Sequence, residues 1–253
     1  SGRPVNLEKF RDLADEYNLW IIEDACHSPG GFYYDSNNAM QKCGNGKHAD
    51  LSIFSFHPVK HIAAGEGGMI TTNSVELYNR IKNLRTHGIQ QIPEKRLHNH
   101  GIWYYEMQEL GYNYRLTDIQ ASLGISQLSR ASEGLKKRNQ IATNYNNFFK
   151  NKSYVKSQSG LIEGHAYHLY VIEVEKRDKL INYLRDKNIF CQVHYIPLHL
   201  MPYYSKFGWK KGDFPNAENY YKNCLSLPIF PSLKQEEQNF VLDQISKYYE
   251  SEA

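Results

Sequence analysis

The sequence predicts an α/β protein built from two units, residues 1–135 with a mostly parallel sheet and residues 136–253 with a smaller α+β arrangement. Two observations support this fold class. Short apolar runs alternate with helical patterns in the first half, which is typical of α/β layers. The second half instead has a strand whose apolar and polar residues alternate, as in a sheet with one face in solvent. The length of 253 residues is sufficient for both units.

Three short segments predict the strands of the first unit. Residues 19–22 form a continuous apolar run of the kind found in strands buried on both faces. Residues 51–56 and 69–72 contain the β-branched and aromatic residues that strands favour. The polar, Gly- and Asn-rich residues 31–49 predict a long loop or a small hairpin, and residues 90–112 predict a second irregular segment.

Capping residues indicate where several helices begin. Asn6 precedes a run with apolar residues three or four apart, and Asn73 and Thr117 each have a Glu or Gln three residues later, as in a capping box. The second unit is predicted to contain three helices and two strands, namely helices around residues 141–148, 178–184 and 240–245 and strands at residues 169–174 and 189–193.

Composition argues against several classes of protein. Lys and Arg number 30 against 27 Asp and Glu, and a net charge of +3 is too small for a typical nucleic-acid-binding protein. No apolar run approaches the ~20 residues of a membrane-spanning helix. The four cysteines form no CxxC pair, so we expect free thiols and a reducing, cytoplasmic compartment. We therefore expect neither nucleic acid nor membrane as a partner.

Three polar side chains are predicted to meet at the carboxyl ends of the first two strands, where ligands of open α/β sheets collect. Asp24 follows the first strand, and Ser55 and Lys60 lie at the end of the second. A lysine in a low-dielectric pocket can act as an amine nucleophile. A neighbouring carboxylate can keep a pyridine nitrogen protonated. Asp24 and Lys60 are therefore the pair that pyridoxal phosphate (PLP) requires, and Ser55 is placed to meet its phosphate.

Three separated motifs carry a resemblance to a known family. They are Glu-Asp-Ala-Cys-His at residues 23–27, Ser-Phe-His-Pro-Val-Lys at 55–60 with Gly-Glu-Gly-Gly at 65–68, and Gly-Tyr-Asn-Tyr-Arg-Leu-Thr-Asp-Ile-Gln-Ala at 111–121. The chain resembles the DegT/DnrJ/EryC1/StrS sugar aminotransferases essentially from end to end. This resemblance implies the PLP-dependent transferase fold type I, as in aspartate aminotransferase. Residues 1–135 would be the later part of the large PLP-binding domain, and residues 136–253 the small C-terminal domain.

The resemblance also leads us to expect that the chain is the later part of a longer enzyme. In proteins of this family, the preceding part of the large domain supplies a helix N-terminus for the cofactor phosphate and an aromatic ring that stacks on the pyridine. We therefore expect this chain by itself to bind cofactor weakly.

The resemblance implies a role for each residue of the cofactor site. Lys60 forms the Schiff base with PLP and moves the proton during transamination. Asp24 pairs with the pyridine nitrogen, His27 lies beside the phenolic oxygen, and Ser55 binds the phosphate.

A homodimer is implied by the third motif. Asn113 is expected to reach the phosphate of the neighbouring subunit's cofactor, so that the two active sites are shared. The many aromatic residues at 103–114 favour a subunit interface over ordinary packing, because Tyr and Trp are enriched at interfaces.

The resemblance extends to the substrate. Residues 103–107 look most like the branch that aminates a UDP-4-keto-6-deoxy-N-acetylhexosamine, as in pseudaminic acid synthesis. The implied reaction transfers an amino group from glutamate to the C4 ketone of this nucleotide sugar. The polar segment at residues 35–47 is longer than we expect for close relatives, which affects the rim of the substrate site rather than the cofactor pair. Five residues are implied to lie near the substrate: His57, His194, Tyr195, Ile196 and Pro197.

The same residues bear on three other interpretations. A related PLP-dependent sugar dehydratase is disfavoured by Lys60, because such dehydratases replace the Schiff-base lysine. A non-catalytic regulator on the same fold is disfavoured, without being excluded, by Asp24, Ser55 and Lys60 together. A metal site that uses His57, His61 and nearby cysteines matches no structural zinc spacing, so no metal is predicted.

Overall fold

The computed structural model describes residues 1–90, 92–98 and 100–251, and its contacts separate two compact units. The first unit is Pro4–Ala131, and the second is Ser132–Ala253 together with Ser1–Arg3. The division falls at residue 131, whereas the sequence placed a boundary near residue 135. Helices and strands occur in both units, which makes the chain a mixed α/β protein.

The first unit is organised around a three-stranded sheet in the order β1, β4, β5, formed by Ile22–Asp24, Leu51–Ser55 and Gly68–Thr71. β1 and β4 are parallel, whereas β4 and β5 are antiparallel. The predicted mostly parallel sheet is therefore mixed in this part of the fold. The reason is the connection between β4 and β5, which has no helix to carry the chain back across the sheet as a parallel crossover requires.

The strand predicted at residues 19–22 is shifted and is not buried on both faces. β1 begins at Ile22, and the side chains of Leu19, Trp20 and Ile22 are 57%, 66% and 60% exposed. Among the strands that the structure describes, β1 pairs with β4 alone, so it is an edge strand. The apolar run correctly predicted a strand, but it does not report how many strands lie beside it.

The polar segment that follows β1 is an ordered antiparallel hairpin of β2 (Phe32–Tyr34) and β3 (Met40–Lys42). Asp35 closes its turn by accepting a hydrogen bond from the Ala39 amide at 2.9 Å. The hairpin is also tied to the first helix, because the Glu8 carboxylate accepts hydrogen bonds from the amide and hydroxyl of Ser36 at 2.8 and 2.7 Å.

The helices of the first unit are α1 (Glu8–Glu16), α2 (Val75–Arg85) and α3 (Asp118–Leu128). The N-cap of α1 is Leu7, one residue after the predicted Asn6, although the Asn6 side chain accepts from the Glu8 amide at 3.0 Å. The capping box of α3 between Thr117 and Gln120 is confirmed. The predicted cap of α2 is wrong by one residue.

Ser74, not Asn73, caps α2 by accepting a hydrogen bond from the Leu77 amide at 3.2 Å. The Asn73 side chain instead donates to the carbonyl oxygens of Asn45 and Gly46, both at 3.1 Å. It therefore anchors the loop after the hairpin. Two adjacent residues suited the capping position, and a contact distant in sequence decided between them.

The segment predicted to be irregular at residues 90–112 contains the short antiparallel pair β6 (Ile89–Gln90) and β7 (Glu106–Met107). The Glu106 carboxylate organises it, accepting hydrogen bonds from the amides of Leu97 and His98 at 2.6 Å and from the Tyr104 hydroxyl at 2.8 Å. These bonds outweigh desolvation and lower the pKa of Glu106 to about 2. Positions 91 and 99 of this segment lie outside the described residues.

The second unit is an α+β arrangement around the antiparallel sheet β10, β9, β8. Its elements in chain order are α4 (Ala131–Phe149), β8 (Val155–Gln158), β9 (Tyr170–Val174), α5 (Arg177–Asp186), α6 (Pro202–Ser205), α7 (Pro215–Asn223), β10 (Cys224–Leu227) and α8 (Gln235–Ser251).

Two predicted strands of this unit differ from the structure. β9 was expected to be half exposed, but it is the central strand, and Tyr170 and Ile172 are fully buried in the main apolar core. The strand predicted at residues 189–193 is reduced to a single bridge between Gln192 and Ser226. The helices predicted around residues 141–148, 178–184 and 240–245 are present as α4, α5 and α8.

A buried arginine connects α4 to two loops of the second unit. The Arg138 guanidinium donates through Nη1 to the carbonyl oxygens of Tyr167, His168 and Ile229 at 3.1, 3.3 and 2.9 Å. Burial lowers the pKa of Arg138 to about 10, so the group remains charged at neutral pH. A single side chain thus satisfies three carbonyl groups that have little access to water.

Replacing Arg138 with methionine should destabilise the second unit by about 3 kcal/mol, because the three carbonyl groups lose their donor in a buried site. We expect the Tm of the protein to fall by roughly 5–10 °C. The neighbouring exposed Lys136 provides the control, since Lys136→Met makes the same kind of change on the solvent face of α4. Equal melting temperatures for the two variants would show that Arg138 contributes nothing beyond its alkyl chain.

Candidate active site

The candidate site begins where two parallel strands end together. In the pairing of β1 with β4, Asp24 lies opposite Ile53. The pairing continues past β1, since the Ala25 amide donates to the Ile53 carbonyl at 2.9 Å. Asp24 is the last residue of β1 and Ser55 the last of β4, so both follow the chain direction to the same edge of the sheet.

Asp24 is held as a carboxylate by its neighbours. Its Oδ1 accepts a hydrogen bond from the Cys26 amide at 3.1 Å. The pKa of Asp24 is lowered most by a hydrogen bond from the Cys26 thiol, and further by this amide and by electrostatic attraction to His27 and Lys60, against the opposing effect of burial. Asp24 is therefore ionised at neutral pH, which is the state needed to accept a hydrogen bond from a protonated ring nitrogen.

The Cys26 thiol is the complementary donor. Burial, followed by its interaction with Asp24, raises the pKa of Cys26 to about 11, so the thiol keeps its proton at neutral pH. Its sulfur also lies 3.9 Å from the Ile53 carbonyl oxygen. The sequence prediction of a free thiol gave no sign of this contact. The available signal was its position two residues after an aspartate, where aspartates commonly bond their own backbone.

Lys60 lies in the tight turn that follows β4. Its amide donates to the His57 carbonyl at 2.9 Å, and the Ala64 amide donates to the Phe56 carbonyl at 2.9 Å, which folds the loop back on the strand end. The lysine side chain is half buried, and its charge acts on both Asp24 and Cys26. The structure thus brings together the lysine and the aspartate that are 36 residues apart in the sequence.

Ser55 and His57 complete the turn beside the lysine. The Ser55 hydroxyl accepts a hydrogen bond from the His57 amide at 3.4 Å. The His57 ring accepts from the Val59 amide at 3.4 Å, and its Nε2 lies 4.0 Å from a carboxylate oxygen of Glu66. With Ser55 acting as an acceptor here, its own O–H can donate to an anion at the strand end.

Glycines bring the third motif against the lysine loop. Gly67 has φ +132°, and a Cβ at this position would lie 2.6 Å from Cδ1 of Leu116. The Leu116 side chain therefore packs on the Gly67 turn at a distance that only glycine permits. The motif at residues 111–121 and the motif at residues 65–68 are in this way parts of one structure.

Asn113 is exposed in a segment that is fastened to the C-terminal end of α2. The Tyr112 amide donates to the Leu84 carbonyl at 2.6 Å, the Tyr114 amide donates to the Arg85 carbonyl at 3.0 Å, and Asn113 itself forms a β-bridge with Thr86. Its backbone is thus well placed, while its predicted role toward a neighbouring subunit's cofactor stays a prediction.

The remaining predicted substrate residues belong to the second unit. The His194 ring is hydrogen-bonded to the Ser226 hydroxyl at 2.7 Å, and Tyr195 and Ile196 are exposed. Pro197 follows them and leads into a short 3₁₀ turn. Ser226 was not among the predicted site residues, and it lies 32 residues further along the chain than His194.

The described residues contain neither a metal-binding cluster nor a membrane-spanning helix. Within residues 1–90, 92–98 and 100–251, no group of three or more His, Cys, Asp or Glu side chains is arranged to hold a metal ion. The same residues include no helix that combines the length and the apolar character needed to cross a membrane. All four cysteines are free thiols.

The donor set fits pyridoxal phosphate. The ring nitrogen requires an ionised carboxylate, which Asp24 could supply. The aldehyde carbon requires a primary amine close to that carboxylate, which Lys60 could supply. The phosphate requires hydrogen-bond donors, and the Ser55 hydroxyl could be one of them.

Comparison with proteins of known structure or curated sequence places the chain among aminotransferases. It is 36% identical over 251 residues to a Campylobacter jejuni protein named UDP-4-amino-4,6-dideoxy-N-acetyl-beta-L-altrosamine transaminase, covering 97% of this chain and 62% of that protein. The structure of Helicobacter pylori PseC, an aminotransferase of pseudaminic acid biosynthesis, superposes with a TM-score of 0.85 at 29% identity, covering 99% of this chain and 65% of that one.

A third similar structure is that of a Streptococcus pneumoniae protein determined in its PLP form, with a TM-score of 0.80 and 28% identity over 96% of this chain and 63% of that one. The chain thus spans 62–65% of the length of these proteins. These neighbours confirm the predicted PLP-dependent transferase fold type I.

The sequence profile of the DegT/DnrJ/EryC1/StrS aminotransferase family matches residues 1–246, which include parts of both units and all three motifs. The resemblance inferred from the motifs is thereby confirmed. The chain belongs to the DegT/DnrJ/EryC1/StrS aminotransferase family.

Proposed function

We propose that the protein transfers an amino group from glutamate to the C4 ketone of a nucleotide-linked 4-keto-6-deoxy sugar, with PLP as cofactor. The observation that carries this proposal is the meeting of Asp24 and Lys60 at the joined ends of β1 and β4. The name of the C. jejuni relative supports a UDP-linked N-acetylhexosamine as the substrate. The free cysteines support the cytoplasm as the place where the reaction occurs.

Bound PLP supplies an aldehyde that combines with amines and a ring that withdraws electrons from the attached carbon. Asp24 serves this chemistry by accepting the ring N–H, because its carboxylate is kept ionised by Cys26 and Lys60. The Cys26 amide and thiol fix the direction in which that carboxylate points.

Lys60 has two tasks in this assignment. Its Nζ would hold the cofactor at the aldehyde carbon, and the same amine would take the proton from Cα of glutamate and later deliver a proton to C4 of the sugar. A positioned general acid or base of this kind contributes about 10²–10⁴-fold to a rate. Ser55 would donate its hydroxyl to a phosphate oxygen, and His27, three residues after the end of β1, would serve the ring oxygen.

We also propose that the active protein is a homodimer in which Asn113 serves the partner's cofactor. The support is the exposed aromatic surface around this residue, formed by Trp103, Tyr105, Tyr112 and Tyr114. Tyr112 and Tyr114 stack with ring centroids 4.8 Å apart, which presents a flat apolar face of the kind that interfaces use.

The test is an absorption spectrum of the complete protein purified with PLP. A yellow protein that loses its visible band on adding glutamate, and regains it on adding a nucleotide 4-keto sugar, would support both half-reactions. A panel of nucleotide 4-keto sugars then identifies the substrate. A regulator on this fold would bind cofactor or sugar without any spectral change that depends on glutamate, and that result would overturn the proposal.

A further inference from the structure

Four residues of the second unit, 194–197, run between two polar anchors, while their middle faces outward. Tyr195 is 61% exposed and Ile196 is 42% exposed. Exposed apolar side chains on a short segment usually move freely unless other contacts hold the backbone. In this segment, contacts distant in sequence hold both ends.

The first anchor is Ser226 on strand β10. The amide of Gln192 donates to the Ser226 carbonyl at 3.2 Å, and the Ser226 amide donates to the Gln192 carbonyl at 2.8 Å. The Ser226 hydroxyl is hydrogen-bonded to Nδ1 of His194 at 2.7 Å. Ser226 is buried, and β10 is itself paired along its length with β9. The anchor therefore rests on the sheet rather than on a loop.

The His194 ring restricts the orientation of the Tyr195 ring. The two rings meet edge to face, with centroids 4.6 Å apart and planes at 81°. Because the Ser226 hydroxyl holds one side of the imidazole, it also limits the directions that the tyrosine ring can take. Edge-to-face aromatic pairs are worth about 0.5–1.5 kcal/mol beyond the area they bury.

The second anchor is Glu218 on helix α7. His199, immediately beyond Pro197 and Leu198, is 7% exposed, and its Nε2 lies 2.8 Å from Oε1 of Glu218. The same oxygen accepts a hydrogen bond from the Gly212 amide at 2.7 Å. The hydrogen bond to His199 is the main cause that lowers the pKa of Glu218, so its carboxylate is ionised at neutral pH.

Both anchors stand on consecutive elements, because α7 leads directly into β10. We infer that Ser226 and Glu218 are positioning residues, which hold Tyr195 and Ile196 in the arrangement that contacts the nucleotide sugar. The assignment rests on the proposed function, which supplies the substrate, and on the expectation that residues 194–197 lie near it. It adds two residues that act through His194 and His199 rather than by touching the substrate.

The test uses Ser226→Ala and Glu218→Gln in the complete protein loaded with PLP. We expect KM for the nucleotide keto sugar to rise about tenfold in each variant, with kcat and KM for glutamate within about twofold of the parent. The readout is an unequal effect on KM for the two substrates. A general loss of folded protein would instead lower the apparent kcat and leave both KM values unchanged.

Matched controls are available in the same unit. The Ser246 hydroxyl is 3.4 Å from the Tyr154 hydroxyl, and Glu237 accepts from the Lys234 amide at 2.8 Å, both away from residues 194–197 in sequence. Ser246→Ala and Glu237→Gln should leave KM for the sugar unchanged. The inference is overturned if the anchor variants behave like these controls, or if kcat falls while KM for the sugar does not change.

Hydrogen exchange separates this inference from the proposed function. The backbone amides of residues 194–200 should exchange at least about tenfold faster in the anchor variants than in the parent, whatever reaction the protein catalyses. If the parent aminates no keto sugar, the proposed function fails. Separately, unchanged exchange at these amides in the anchor variants would show that the anchors do not position the segment. Faster exchange with unchanged KM would equally overturn the link to the sugar.

Discussion

Replacing Lys60 with alanine should lower kcat for amino transfer by about 10⁴-fold while the protein stays folded. The substitution removes the amine that we propose to hold the cofactor and to move the substrate's proton. Positioned acid–base catalysis alone contributes up to about 10⁴-fold to a rate. The half-buried side chain contributes little to packing, so we expect a change in Tm of less than about 3 °C. Single-turnover kinetics with glutamate and a melting curve measure the two effects.

Two variants control for the charge of Lys60. Lys60→Arg keeps a positive charge beside Asp24 but offers no primary amine, so it should be as inactive as Lys60→Ala. Lys9→Ala removes an exposed lysine from the same unit and should be fully active. Transamination by Lys60→Ala at the parent rate would show that the amine of another residue performs the reaction.

Replacing Asp24 with asparagine should lower kcat/KM by about 10³-fold, because an amide cannot balance the charge of a protonated ring nitrogen. The side chain keeps its size and can still accept a hydrogen bond from the Cys26 amide, so the loop should keep its structure. Steady-state kinetics and the position of the cofactor's visible band report the change. Asp12→Asn, on the exposed side of α1, should have no effect.

The lowered pKa of Asp24 predicts a pH dependence for the parent enzyme. An aspartate that titrates below its ordinary value of ~3.9 stays charged from neutral pH down to at least about pH 5. Its contribution to stability is present above the unfolded value and is lost only as the pH falls through the folded one. An acidic limb of kcat/KM near pH 6 that disappears in Asp24→Asn would contradict the lowered pKa.

The sequence predicted the centre of the candidate site because the rule it used is geometric. Parallel strands that end at one edge bring their following residues together, and this held for Asp24 and Lys60 although β1 begins later than expected. The motif wording then named the chemistry. Neither step depended on how deeply β1 is buried, which is the point at which the strand prediction was wrong.

Contacts distant in sequence account for what local patterns missed. Asn73 and Ser74 were equally suited to cap α2, and the choice came from a loop 28 residues earlier. The burial of β9 depends on strands on both of its sides, which a six-residue pattern does not report. Neither Ser226 nor Glu218 was predicted as a site residue, because each meets its histidine through folding rather than through sequence spacing.

The two glycines at the base of the aromatic segment have a consequence for assembly. A Cβ on Gly88 would lie 1.8 Å from the Glu109 carbonyl oxygen, and one on Gly111 would lie 2.0 Å from the Gly88 amide nitrogen. The two ends of segment 88–111 are therefore in direct backbone contact, with no room for a methyl group. A surface that docks on this segment meets a loop that is already closed. Less conformational entropy is then lost on association than with an open loop.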